Sequence, residues 1–94
     1  MERVAEAILE TPGDADPELR GRVEAVAAGR DADLPDDLRP YVEKVARNAY
    51  KVVDADIERL RKAGYSEDAI FELTLAAALG AARSRLTAGL RAME

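Results

Sequence analysis

The sequence predicts an all-α protein of four to five helices in a single domain. Three observations carry this. Alanine, leucine, arginine and glutamate dominate the 94 residues. No stretch alternates apolar and polar residues at period two. Turn and capping residues recur between apolar stretches of helical spacing.

In order along the chain, Arg3 to Glu10 is expected to form a short helix with Val4, Ala7 and Ile8 on one side, stopped by Thr11-Pro12-Gly13. Asp16-Pro17 supplies an N-cap followed by a first-turn proline, and opens a helix that Gly29 can close, with Val23, Val26 and Ala27 as its buried face. Residues 30–37, RDADLPDD, read as an acidic connector. A stronger helix follows from about Asp37 or Pro40, with Val42, Val45, Ala46, Ala49, Val52 and Val53 at i, i+3, i+4, i+7 spacing. Asp54 is expected to cap a shorter helix with Ile57 and Leu60 inward, ending at Gly64. Ser66 caps the last and longest helix, with Glu67 and Asp68 in its first turn, running to about Ala92. The segments LRGRVEAVA (19–27) and LRPYVEKVA (38–46) echo each other, so two helices are expected to show similar faces to the core.

Composition excludes much chemistry. With no cysteine and no histidine, thiol redox catalysis, cysteine nucleophiles and Ser-His-Asp triads each lack a residue they require, and zinc's favoured thiolate and imidazole ligands are absent. No metal and no cofactor is expected. The net charge is −5, with eleven acids against four bases in residues 1–37 and eight against ten in residues 38–94. An acidic chain with no basic stripe and four aromatic residues is a poor nucleic-acid binder. Arg59, Arg61 and Lys62 fall at the end of the helix expected from Asp54 to Gly64, where cations offset the helix dipole. The uncharged run Leu73–Ala82 is about half the roughly 20 residues a spanning helix needs. VAEAIL near the start is broken by Glu6 and does not read as a signal peptide. A cytoplasmic protein without membrane or nucleic-acid partners is the expectation.

Three Asp-Ala-Asp triplets occur, at 14–16, 31–33 and 54–56. An EF-hand loop started at any of them would place Leu19, Asp36 or Arg59 where glycine is required and Ala25, Val42 or Tyr65 where glutamate is required. Turn formation and helix capping account for them instead. Glu72 is the candidate catalytic residue: a carboxylate among Ile70, Phe71, Leu73 and Leu75 would have its pKa raised and could act as general acid or base. The alternative is a place at the solvent edge, or a pairing with arginine. Arg83, Arg85, Tyr50 and Tyr65 are candidate ligand or interface residues. Arg83 and Arg85 point to different sides of their helix, so they cannot form one anion clamp, and at least one is expected to reach a carboxylate. Tyr41, Tyr50 and Tyr65 read as half-buried packing residues with a wet hydroxyl. Ala76, Gly80, Ser84 and Ala88 recur every four residues as a ridge of small side chains for close helix approach.

From Leu34 onward the chain reads LPDDLRPYVEKVARNAYKVVDADIERLRKAGYSEDAIFELTLAAALGAARSRL. Within it the spacing D-x-D-I-x-x-L-x-x-A-G-Y-S-E-D-x-I-x-E-L-T-x-x-x-A runs from Asp54 to Ala78. Over Leu34 to Leu90 the chain resembles the alkylhydroperoxidase-D-like, carboxymuconolactone-decarboxylase-like superfamily. The resemblance implies a helical fold that assembles as trimers or hexamers, with sites near subunit boundaries. Peroxidase members carry a glutamate, a Cys-x-x-Cys pair and a histidine on one helix. With Glu72 set against that glutamate, the other positions fall on Ser84, Thr87 and Arg91, so the resemblance does not bring peroxidase chemistry with it. Residues 1–33 lie outside the resemblance, and a loosely held N-terminal part is expected.

Three functions remain open at this point. One is a non-redox oligomeric assembly or interaction module. The second is a binder or enzyme with an inter-subunit pocket built on Glu72, arginine or tyrosine. The third is an accessory subunit to a catalytic paralogue. A helix apolar on nearly all sides, in a chain with few helices to cover it, favours self-association in the first.

Overall fold

The computed structural model describes residues 13–93, and the helix expected at Arg3–Glu10 lies outside them. Among the described residues the chain is all-α. Helix α1 spans Pro17–Ala27, α2 Arg39–Asn48, α3 Asp54–Lys62 and α4 Glu67–Ala92, with a single 3-10 turn at Ala49–Lys51.

Each helix starts for a local reason. The Asp16 side chain accepts from the Glu18 amide at 2.9 Å, and Pro17 opens α1. Pro40 sits in the first turn of α2. The Ser66 hydroxyl accepts from the Ala69 amide at 3.0 Å and begins α4. Gly29 and Gly64 take φ of +90° and +108°, and the chain turns there out of α1 and α3. After α3, the Tyr65 amide reaches back to the Leu60 carbonyl at 3.1 Å, which closes the turn. Arg59, Arg61 and Lys62 fill the last turn of α3.

Two starts and stops differ from expectation. The apolar pattern carries a helix on to Val53, yet α2 ends at Asn48, which leaves helical geometry at φ −141° and ψ 54°. Val53 is then 57 % exposed. Asparagine is a weak helix former, and the Val53 amide is taken by Asp56, which accepts it at 2.9 Å. The cap of α3 is thus a reach back from Asp56 rather than a contribution from Asp54.

Helix α4 is the spine. Helix α1 packs on it most extensively and α2 next, α1 and α2 also touch each other, and α3 meets it beyond the turn at 63–66. Val23, Leu38, Val42, Leu60 and Leu73 are the fully buried large side chains, with Ala76 and Ala77 at 0 % exposure beside them. Burying one Val or Leu side chain contributes about 1.5–3 kcal/mol. The core therefore draws on all four helices and on the connector before α2. Within residues 13–33, Ala15 and Val23 belong to this core and α1 is the main partner of α4. The echo between α1 and α2 holds at Val23 and Val42, both buried, and fails one residue later, where Glu24 is buried and Glu43 exposed.

Beyond Ala81 the last turns of α4 leave the core, and from 84 to 93 every residue is exposed. A helix of 26 residues is about 39 Å long, which fits the 46 Å long axis of the molecule. No helix among the described residues is long and apolar enough to cross a membrane.

Candidate functional site

The most constrained contact between helices lies where α1 crosses α4. Arg20, Val23, Glu24 and Ala27 share one face of α1 by i, i+3, i+4, i+7 spacing, and that face meets the small ridge of α4. Ala76 and Gly80 are buried there. A Cβ built on Gly80 would collide with the Glu24 carbonyl oxygen and lie 3.0 Å from the Ala27 Cβ. Ala76 and Gly80, the first half of the ridge, thus lie at the crossing. Ser84 and Ala88, its second half, are exposed and border a groove instead.

Glu24 is 4 % exposed, and its carboxylate is held from two sides. Arg30 donates to Oε2 at 2.6 Å, and Arg83 lies 3.6 Å from Oε1. Arg83 thus reaches a carboxylate of its own chain, as expected for at least one of the two arginines. Arg85 turns the other way and donates to the Ala46 carbonyl at 3.1 Å, near the C-terminal end of α2, where positive charge is favoured. The two arginines do not converge.

Between the end of α1, the connector, α2 and α4 lies a groove of about 360 Å³. Small residues, among them Ala28, Gly29, Ala46, Ala81 and Ser84, leave the space; Arg30, Arg39, Arg47 and Arg85 line it against Asp31 and Glu43. Arg39 is steadied by the Ala32 carbonyl at 2.8 Å. A second groove of about 490 Å³ shares Ala28, Arg30 and Ser84 with the first and adds Arg83 and Arg91. In a chain of net charge −5, this end of the molecule carries a local excess of guanidinium.

Glu72 stands elsewhere. It projects from α4 toward the chain entering α1 and accepts from the amides of Asp14 at 3.0 Å and Ala15 at 2.8 Å. Its pKa is lowered, mainly by these two backbone hydrogen bonds; burial opposes them, and the positive charge of Arg20 adds a lesser lowering. The apolar neighbours in sequence suggested a raised value. The direction is corrected because both carboxylate oxygens meet amide donors. Nearby, Ser66 donates to Asp14 Oδ2 at 3.1 Å, tying the same turn to the start of α4.

The tyrosines separate. Tyr41 is buried at 6 % exposure and its hydroxyl meets Thr74 Oγ1 at 2.8 Å. Tyr65 is half-buried and donates to Asp37 Oδ1 at 3.1 Å; burial first, and that carboxylate second, raise its pKa. Tyr50, expected to be half-buried, is 81 % exposed, because α2 has already ended and the 3-10 turn carries it outward. The Lys51 ammonium sits 5.8 Å from its ring centre. Thus Glu72, Arg83, Arg85, Tyr50 and Tyr65 are not brought to one site.

Two buried acids were missed. Glu24 was legible only as a member of the α1 face that carries Val23 and Ala27. Asp56, 7 % exposed, accepts from the Val53 amide and from Lys44, whose Nζ lies 3.0 Å from both of its oxygens. Its pKa is lowered, first by the backbone bond and then by Lys44. No family model matches the chain, and neither a curated protein nor a solved structure matches it.

Proposed function

We propose that this protein is a non-redox, alkylhydroperoxidase-D-like helical module whose task is assembly, working by docking another chain on α4. One observation carries the reading. The large apolar side chains Phe71, Leu75, Leu86 and Leu90 on α4, and Met93 just past its end, stand exposed, between 38 % and 85 %. Several sizeable apolar side chains on one exposed helix mark an interaction surface. The acids with the strongest structural surroundings support it too, since Glu24, Asp56 and Glu72 all hold backbone or basic groups of their own chain. Light scattering over a wide concentration range tests the proposal; a folded chain that stays monomeric and binds no partner would sink it.

The arginine-lined groove favours a second reading, in which the module also holds a small anionic molecule. Arg39 and Arg85 are steadied by backbone carbonyls, so their remaining N–H donors are pre-oriented for carboxylate or phosphate. Titration with inorganic phosphate, followed by amide shifts at Ala46 and Ala81, tests this; unmoved signals at millimolar phosphate would remove it.

A further inference from the structure

The outer face of α4 carries an apolar stripe that the other described residues leave uncovered. At 3.6 residues per turn, Phe71, Leu75, Ala78, Ala82, Leu86 and Met93 fall within about 80° of arc and run along about 33 Å of helix. All six are exposed, and Phe71 and Met93, at its two ends, are 64 % and 85 % exposed. The stripe lies opposite the face that holds Leu73, Ala76, Ala77 and Gly80 against α1 and α2.

Charge decides what fits this stripe and in which direction. The acids of α4 are Glu67, Asp68 and Glu72, all in its first six residues; its bases are Arg83, Arg85 and Arg91, all in its last ten. A parallel copy would set acid beside acid and base beside base. An antiparallel copy sets the acidic start of one helix beside the basic end of the other, and opposes the two helix dipoles.

Side-chain size sets the register. With a two-fold axis at Ala82, Leu75 meets Gly89 of the second copy, Leu86 meets Ala78, Phe71 meets the flexible Met93, and Ala82 meets itself. Leucines fall on small residues through the middle of the stripe, and the flexible Met93 accommodates Phe71 at each end, a pattern that lets two helices interlock. Such an interface is isologous, so every contact off the two-fold axis occurs twice.

We propose that α4 pairs with α4 of a second copy of this chain, antiparallel and centred on Ala82. This rests on the assembly reading above and names the partner, the surface and the direction.

The chain has no cysteine, so introduced thiols report cleanly. Under mild oxidation with oxidised glutathione, Ala82→Cys alone is expected to form a covalent dimer, well above the background set by Glu58→Cys on α3. Phe71→Cys alone is expected to stay uncrosslinked, while a mixture of Phe71→Cys and Met93→Cys chains links. Leu86→Glu, with its circular dichroism unchanged, is expected to halve the mass seen by light scattering. Linkage through Phe71→Cys alone would mean parallel helices and overturn the proposal. A dimer by mass that does not link at Ala82→Cys overturns this arrangement but leaves the assembly reading standing. A folded monomer at every concentration overturns the pairing, and one that also binds no partner overturns the assembly reading with it.

Discussion

Gly80 of α4 lies directly beneath the main-chain carbonyl of Glu24 in α1, with no room between them for a methyl group. Alanine in place of this glycine would gain about 1 kcal/mol of helix propensity. The collision is with backbone, however, and the Ala27 Cβ closes a second side at 3.0 Å. Separating the two helices should cost more than the propensity gained. Gly80→Ala is expected to lower stability by about 1–3 kcal/mol net, in the range of overpacked cores, and Gly80→Leu to dislodge α1. Urea midpoints measure the first and loss of the cooperative transition the second. An unchanged midpoint in both would mean the crossing is not tight.

Glu72 is a latch on the chain entering α1. Glu72→Gln keeps one acceptor oxygen and loses the charge that strengthens two amide bonds. Hydrogen bonds to charged groups contribute about 1.5–3 kcal/mol when dry; partial exposure puts the expected loss nearer 1 kcal/mol. Amide exchange at Asp14 and Ala15 should accelerate more than exchange in α2. Gly13→Ala approaches the same latch from the other side, since its Cβ would stand 2.6 Å from both Glu72 oxygens. That carboxylate ends a flexible side chain, so its displacement, not loss of the fold, is the expected outcome. Equal exchange rates at Asp14 and Ala15 in wild type and Glu72→Gln would contradict the latch.

These two residues mark what the sequence made legible. Gly80 was readable because a glycine every-four partner of Ala76 inside a long helix has few explanations besides close approach. Helix starts at Asp16 and Ser66, and turns at Gly29 and Gly64, were readable because capping and positive φ are local properties. The end of α2 was not, because apolar spacing continues through Val52 and Val53 while a competing capping bond from Asp56 decides the matter. The role of Glu72 depended on residues 58 and 57 positions earlier in the chain, a relation no window along the helix contains. Glu24 escaped for the same reason: its partners Arg30 and Arg83 lie on a loop and on another helix.

Glu24 has two arginine partners, and that redundancy is measurable. Removing the arginines singly leaves the buried carboxylate one cation. Arg30→Ala and Arg83→Ala are each expected to cost about 0.5–1 kcal/mol, the scale of partly exposed pairs. Removing both strands a carboxylate that is 5 % exposed in its side chain. The double variant should therefore lose about 3 kcal/mol, the cost of an uncompensated buried charge, which exceeds the sum of the singles. Denaturant titrations of the four members of this cycle give the coupling. Strict additivity would show that the two arginines act on Glu24 independently.

Acid should weaken the fold through two groups in particular. The folded protein holds both Glu72 and Asp56 below their ordinary pKa values, chiefly through backbone amides. The unfolded chain therefore binds more protons than the folded one around the usual carboxylate range, and stability rises with pH there. The contribution is complete above the unfolded values, near pH 4–4.5, and it disappears as pH falls through the lowered folded values. Unfolding midpoints are thus expected to drop steadily on acidification from about pH 5 to pH 2. The slope should flatten in the Glu72→Gln, Asp56→Asn double variant. Asp56→Asn should also loosen the Lys44 link between α2 and α3, visible as faster exchange at the Val53 amide, which Asp56 accepts in the native chain. A double variant with the wild-type slope would assign the acid sensitivity to other carboxylates, and would leave Asp56 and Glu72 as geometric clamps whose charge contributes nothing to folding.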